Sequence, residues 1–298
     1  MPTPTSTDVA AKIYSKQLIT ETQQQLVRIK DFSLDFSEEA KQPGESVMVQ
    51  LSTANAAGDW NDTSNNFARA AMSVKERSVT LNKRKIAGGK VTPAQMANFH
   101  PYWWKNQGQM DARAIALSFM SEAAALITAA NFGDAKTDKL NISLDGFSPK
   151  SVATIRAKAI DDKKLSPDNC VLVLNPSFFS QLLGGMDANV YGGREAILKG
   201  AIPGLLGFTS IVEWPGLTIP GFVASRAALA FAGRKIAFLG TKNYELVQDS
   251  VEPDLGIVMT TVLYVDGATG HGSLSNNALF GVGVGADDQL IRLLQAAS

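Results

Sequence analysis

Residues 281–286 read GVGVGA and fit the G-x-G-x-x-A pattern that brings a backbone against a dinucleotide pyrophosphate. That chemistry needs a complete strand–turn–helix–strand unit and an acidic residue about 20 positions onward. Twelve residues follow Ala286 in this sequence, so the expectation is close backbone approach in a packed late strand. Cys170, the one cysteine, could act as a nucleophile with His100 or His271, the two histidines. It opens the apolar run CVLVLN, however, where a small buried thiol is the ordinary occupant. Two histidines without H-x-x-x-H spacing or clustered cysteines do not make a zinc site. The carboxylate pairs Asp161-Asp162 and Asp287-Asp288 fall at a helix end and a helix start, where the second pair offsets the helix dipole. No G-x-S-x-G or Walker loop is present. The expectation is no catalytic residue, cofactor or metal, and no enzyme.

The charge feature that stands out is the basic run Lys75, Arg77, Lys83, Arg84, Lys85 and Lys90. Two readings fit it: a solvated edge strand kept from aggregating by its lysines, or ion pairing with a neighbouring subunit or a packaged polyanion. Just upstream, TANAAGDWNDTSNNFARAAM carries Trp60 and Phe67 on an otherwise polar, turn-rich stretch. Isolated aromatics there imply that the loop folds back on its own domain or reaches a neighbour. Trp103-Trp104 reads as a core plug at a helix start.

These residues must be held by a sizeable fold. The chain has 298 residues, 45% hydrophobic and 19% charged, so core volume is not limiting. Lys plus Arg equals Asp plus Glu at 28 each. That balance argues against a dedicated nucleic-acid binder and leaves self-association unopposed by net charge. A lone cysteine excludes an internal disulfide and suits a reducing compartment. MPTPTSTDVA does not read as a signal peptide, and AIALSFMSEAAALITAA is too weakly apolar for a membrane span.

Along the chain, DVAAKIYSKQLITETQQQLVRI reads as a helix with a thin stripe of Val9, Ile13, Ile19 and Leu26. ESVMVQLS alternates as a strand with Val47, Val49 and Leu51 on one face, and SVKERSVTLNKRKI follows it less cleanly. Residues 109–132 predict a long helix, with Phe119, Ala123, Leu126 and Ala130 along one face and Gly133 as its cap. Ser148-Pro149 and Asn175-Pro176 are cap-proline signals opening two further helices. CVLVLN, GFTSIVEW, GFVAS, YELVQDS, GIVMTTVLYVDG and ALFGVGVG read as strands, and RAALAFA as a short helix. In GLLGFTSIVEWPGLTIPGFVASRAALAFAGR, Gly207, Gly216 and Gly221 predict tight turns, and Ala227, Ala228 and Ala230 close approach.

Taken in order, these segments resemble the major capsid protein of tailed bacteriophages, a fold shared with encapsulin shells. The resemblance is most specific over 148–234, through VLVLNPSFFSQLL and ILKGAIPGLLGFTSIVEWPGL. It implies an α+β fold: an N-terminal arm over 1–35, an extended β-hairpin loop over 36–80, and a peripheral domain over 81–147 with spine helix 109–132. An axial α/β domain over 148–270 and a C-terminal strand and short helix over 271–298 complete it. It further implies self-assembly into hexamers and pentamers of an icosahedral shell around double-stranded DNA, contacted non-specifically, with no membrane. A separate scaffolding protein and a portal are implied partners, and the implied location is the virion, assembled in the host bacterial cytoplasm. Trp60, Phe67, Lys75, Arg77, Arg84 and Lys85 are the expected subunit-interface residues. An encapsulin-like cargo compartment and a small α/β enzyme or ligand-binding protein are the alternative readings.

Overall fold

The computed structural model describes residues 6–26, 29–36, 46–52, 74–92, 94, 101–163, 165, 169–186, 201–203, 207–236, 244–251, 256–265 and 271–296. In chain order the elements begin with helix α1 (Ser6–Leu26) and strands β1 (Ser33–Asp35), β2 (Ser46–Ser52), β3 (Val74–Thr80) and β4 (Lys83–Val91). Next come α2 (Pro101–Ala125), α3 (Ala129–Phe132), β5 (Lys139–Ile142), α4 (Pro149–Lys163), β6 (Cys170–Leu174) and α5 (Pro176–Gly184). Strands β7 (Ala201–Pro203), β8 (Ser210–Glu213), β9 (Gly221–Ser225), β10 (Leu229–Arg234), β11 (Tyr244–Val251), β12 (Val258–Val265), β13 (Gly272–Val284) and β14 (Leu290–Gln295) follow.

Strand β13 organises the first sheet. Its early residues pair antiparallel with β12 on one side and β4 on the other, and its later residues pair with β10. β11 forms a hairpin with β12, and β1 adds to β10 in parallel. Helix α2 lies on this sheet. The Phe119 ring sits 4.8 Å from Phe231 of β10 and 4.7 Å from Phe280 of β13. Helix α1 lies against α2 at Gly108, where a Cβ would come within 3.0 Å of the Tyr14 carbonyl. A side chain there would push the two helices apart.

The second sheet runs β5-β14-β9-β6-β8-β7. Strand β6 is buried on both faces, which is why CVLVL is uninterrupted rather than alternating. Cys170, Leu172 and Leu174 pack with Ile155 of α4 and Phe178 and Leu182 of α5. Val171 and Val173 face the other way, into the same core as Phe119, Phe231 and Phe280. Phe32 and Trp214 stack there at 5.5 Å. Helix α5 starts as its sequence dictates: Asn175 Oδ1 accepts from the Phe178 N–H at 3.0 Å, with proline next.

Several expectations are corrected. The long helix starts at Pro101, eight residues before the expected Gln109, and stops at Ala125. The Thr128 side chain then caps the separate short helix α3, which Gly133 ends at φ 83°. Ala130, expected on the buried face, is exposed. RAALAFA is a turn followed by β10, because Ala228–Ala232 is fully enclosed between β1 and β13 and that packing overrides alanine's helix propensity. Residues 290–295 form β14 between β5 and β9 rather than a helix; only Asp287–Gln289 makes a 3-10 turn. Gly207 and Gly216 do sit in turns at φ 80° and 83°. Gly221 instead lies inside β9, where a Cβ would collide with the Val173 carbonyl. Apart from these corrections, β10, β11 and β12 pair in the sheet of β4 and β13.

Candidate interaction surface

The β2–β3 hairpin is a two-stranded sheet packed on a face of the first sheet at β10 and β13, with Val47 opposite Val79 and Leu51 opposite Lys75. Strict alternation gives it one buried face, Val47, Val49, Leu51 and Val79, packed on Ala230 and Ala232 of β10. The face beneath continues through the glycines of β13. A Cβ on Gly283 would come within 2.9 Å of Val79 Cγ2, and one on Gly281 would strike the Thr80 carbonyl. The GVGVGA glycines therefore make room for a strand, as the sequence reading of close approach expects. Outward, the hairpin shows Met48 and Val74, at 58% and 50% exposure.

An ionic contact fixes the hairpin's far end. Lys75 Nζ donates to Asp287 Oδ1 at 2.9 Å and Arg77 Nη2 to Oδ2 at 3.0 Å. The hydrogen bond from Lys75, with the Arg77 charge beside it, holds the Asp287 carboxyl below its ordinary value, and the same bond raises Lys75. Asp287 thus does more than offset a helix dipole; it tethers a segment 210 residues away. Leu34, Phe36, Leu51, Lys75, Ala227 and Asp288 line a cleft of about 550 Å³ beside this tether.

The next basic residues lie on β4. It pairs with β13 through one edge and is an edge strand among the described residues. Lys83 and Lys85 point toward α2, where both reach Glu122 at 2.7 Å. Their hydrogen bonds lower the Glu122 carboxyl. Arg84, Ile86 and Lys90 are exposed.

Of the expected interface residues, then, Lys75 and Arg77 share one carboxylate, Lys85 joins Lys83 on another, and Arg84 faces outward. Trp60 and Phe67 lie outside the described residues, as does His100. His271 is exposed beside β13. Cys170 is buried, and burial pushes its thiol up to about 12, so it is not poised as a nucleophile. Trp104 is buried while Trp103 is 42% exposed. Among the described residues no group of three or more His, Cys, Asp or Glu is placed to hold a metal ion. None of the described helices is long and apolar enough to cross a membrane.

One polar site escaped sequence reasoning. Tyr14 of α1 donates to Asp111 of α2, Gln107 Nε2 donates to the other Asp111 oxygen at 2.9 Å, and Asn276 of β13 donates to the Tyr14 hydroxyl. Thr261 of β12 completes the chain with a bond to Asn276 Oδ1 at 2.7 Å. Tyr14, Asp111 and Asn276 are all buried. Burial and the adjacent carboxylate push the Tyr14 hydroxyl well above its ordinary value. The only sequence signal was an acid, Asp111, on the apolar side of a long helix.

This fold is that of solved phage capsid structures. The capsid of Ralstonia phage GP4 aligns at TM-score 0.59 and 12% identity, covering 89% of this chain and 87% of that one. A structure from Mycobacterium phage Che8 aligns at TM-score 0.56 and 15% identity, covering 88% of each chain. The mature capsid of bacteriophage PhiM1 gives TM-score 0.52 and 12% identity, over 89% of this chain and 88% of that one. No family model matches the chain, and no curated protein matches it.

Proposed function

We propose that the chain is the major capsid protein of a tailed bacteriophage, a structural subunit that assembles with itself into an icosahedral head shell. The observation that carries this is the shared fold over about nine-tenths of both chains with capsids from several phages. In this reading α2 is the spine helix and belongs, with the first sheet, to a peripheral unit. The second sheet with α4 and α5 is the axial unit, α1 the arm and β2–β3 the root of the extended loop. Trp60 and Phe67 reach a neighbouring subunit from that loop, and Arg84 meets one from the β4 edge. Lys75, Arg77 and Lys85 act indirectly, by setting the angle at which the loop and β4 leave the body. Hexamers and pentamers built from one chain need adjustable contacts of this kind. A scaffolding protein, a portal and the packaged double-stranded DNA are its further partners, and the virion its location.

The test is the mass of the purified, untagged protein by light scattering, with negative-stain images of the same fraction, alone and co-expressed with the products of adjacent genes. Closed hollow shells of megadalton mass are the expected result. A discrete monomer or dimer under every condition overturns the reading.

A further inference from the structure

Helix α2 is apolar on two sides. Its buried side, through Ala112, Ile115, Ala116 and Phe119, builds the core. Its opposite side carries Trp103, Met110 and Leu117, exposed by 42%, 67% and 42%. Their spacing is seven residues, so on a helix they drift by only about 20° from one to the next and form a seam about 21 Å long. Ala114 and Ser121, both exposed, lie between and beyond them as small neighbours. Residues seven apart share one face of a helix, and Ala114 between Met110 and Leu117, like Ser121 beyond, leaves a gap there that a side chain from a facing helix can fill.

The charge around the seam selects the partner further. From Pro101 to Ser121 the helix has one acid, Asp111, which is buried. Its cations, Lys105 and Arg113, are exposed, and among the described residues neither has an ion-pair partner. Arg113 sits one turn beyond Met110, at the seam's border. A second copy of α2 would offer Arg113 no exposed acid over residues 101–121, since Asp111 is buried, and a nucleic acid would gain little from an uncharged apolar strip.

We propose that the Trp103–Met110–Leu117 face of α2 docks an amphipathic helix of a separate protein, one whose apolar residues repeat in heptads and whose flanks are acidic. The recognition is helix against helix: apolar knobs seat between Trp103, Met110 and Leu117, and Glu or Asp side chains on the flank meet Arg113. This surface is read from the chain itself and stands apart from the shell reading, although a shell subunit would use it to engage an assembly partner.

The test uses full-length protein from the unassembled size-exclusion fraction. Two fluorescent 21-residue helical probes differ only in flank charge: leucine at a and d, with glutamate at e and g in one and lysine in the other. Like charges keep each probe from pairing with itself. By fluorescence anisotropy the glutamate probe is expected to bind saturably, at least tenfold tighter than the lysine probe. Met110→Glu and Leu117→Glu, on exposed positions that leave melting unchanged, should each weaken it tenfold or more. Arg113→Glu should shrink or invert the preference between probes. No saturable binding, equal binding of both probes, or binding unchanged by Met110→Glu overturns the proposal. Concentration-dependent dimerisation abolished by Met110→Glu overturns it in favour of a second copy. Light scattering of the same preparations reads shell formation separately, so either conclusion can fail alone.

Discussion

Lys75 and Asp287 lie 212 residues apart in sequence and meet at 2.9 Å. Their contact joins the hairpin to the turn that leads into the last strand. Both side chains are about 40% exposed, so the pair contributes no more than about 1 kcal/mol to global stability. Its effect is local. Asp287→Asn is expected to speed amide exchange across β2–β3 several-fold while shifting the melting temperature by only a few degrees. The sign with pH follows from the lowered carboxyl: the contribution is complete above the ordinary aspartate value of 3.8 and fades as pH falls below it. Exchange that is unchanged in the variant, or faster only above neutral pH, removes Asp287 as the tether.

The glycines beneath the hairpin give a sharper expectation. A Cβ on Gly281 collides with backbone of β3, which cannot rotate away. Gly281→Ala should therefore cost about 1–3 kcal/mol, the usual range for overpacking. Gly89→Ala serves as the control, since nothing lies within 4 Å of its Cβ position. Denaturant titration of the two variants decides the matter. Equal, small effects would mean that the hairpin does not rest on β13.

The α1 contact is polar at its centre. Tyr14→Phe removes the hydroxyl that bridges Asp111 and Asn276, leaving a buried carboxylate one donor short. The expected cost is about 1–3 kcal/mol by chemical denaturation, because the unmade bond is paid in desolvation. The loss should appear first as proteolytic sensitivity within residues 6–26. A variant as stable as the parent, with α1 still protected, would show that apolar packing through Leu18 and Leu26 suffices.

Much of this architecture is legible in sequence where a local rule acts alone. Alternation over Val47, Val49 and Leu51 sets the hairpin face, and Asn175-Pro176 sets the start of α5. The uninterrupted CVLVL sets a doubly covered strand. The failures share one cause. Ala228–Ala232 and Leu290–Leu293 have helix-compatible composition, but each is enclosed between partners far away in the chain. A window of neighbours carries no information about those partners. The basic residues were visible as a run, yet Asp287 and Glu122, which pair with them, lie 210 and 37 residues away. Tyr14 is hidden for a related reason. The sequence stripe of Val9, Ile13, Ile19 and Leu26 follows hydrophobicity, whereas the buried face of α1 runs through Tyr14, Leu18, Thr22 and Leu26 and includes polar groups satisfied from other elements.

The sequence between β2 and β3 carries the last prediction. Trp60 stands in the polar sequence GDWNDTSNN, and in the shell reading a tryptophan there gains most by burial against another chain. Within the shell reading, Trp60→Ala should lower the yield of assembled particles at least tenfold. The variant subunit should stay soluble and melt within a few degrees of the parent, because the hairpin root is held by Val47, Val49, Leu51 and Val79. Particle yield by negative stain and melting by calorimetry on the same preparations separate the two roles. Loss of folded, soluble subunit instead would place Trp60 in the chain's own core and remove it from the interface. Normal particles in normal yield would leave the contact to Phe67 or to the β4 edge, and the same pair of measurements on Phe67→Ala and Arg84→Glu would then assign it.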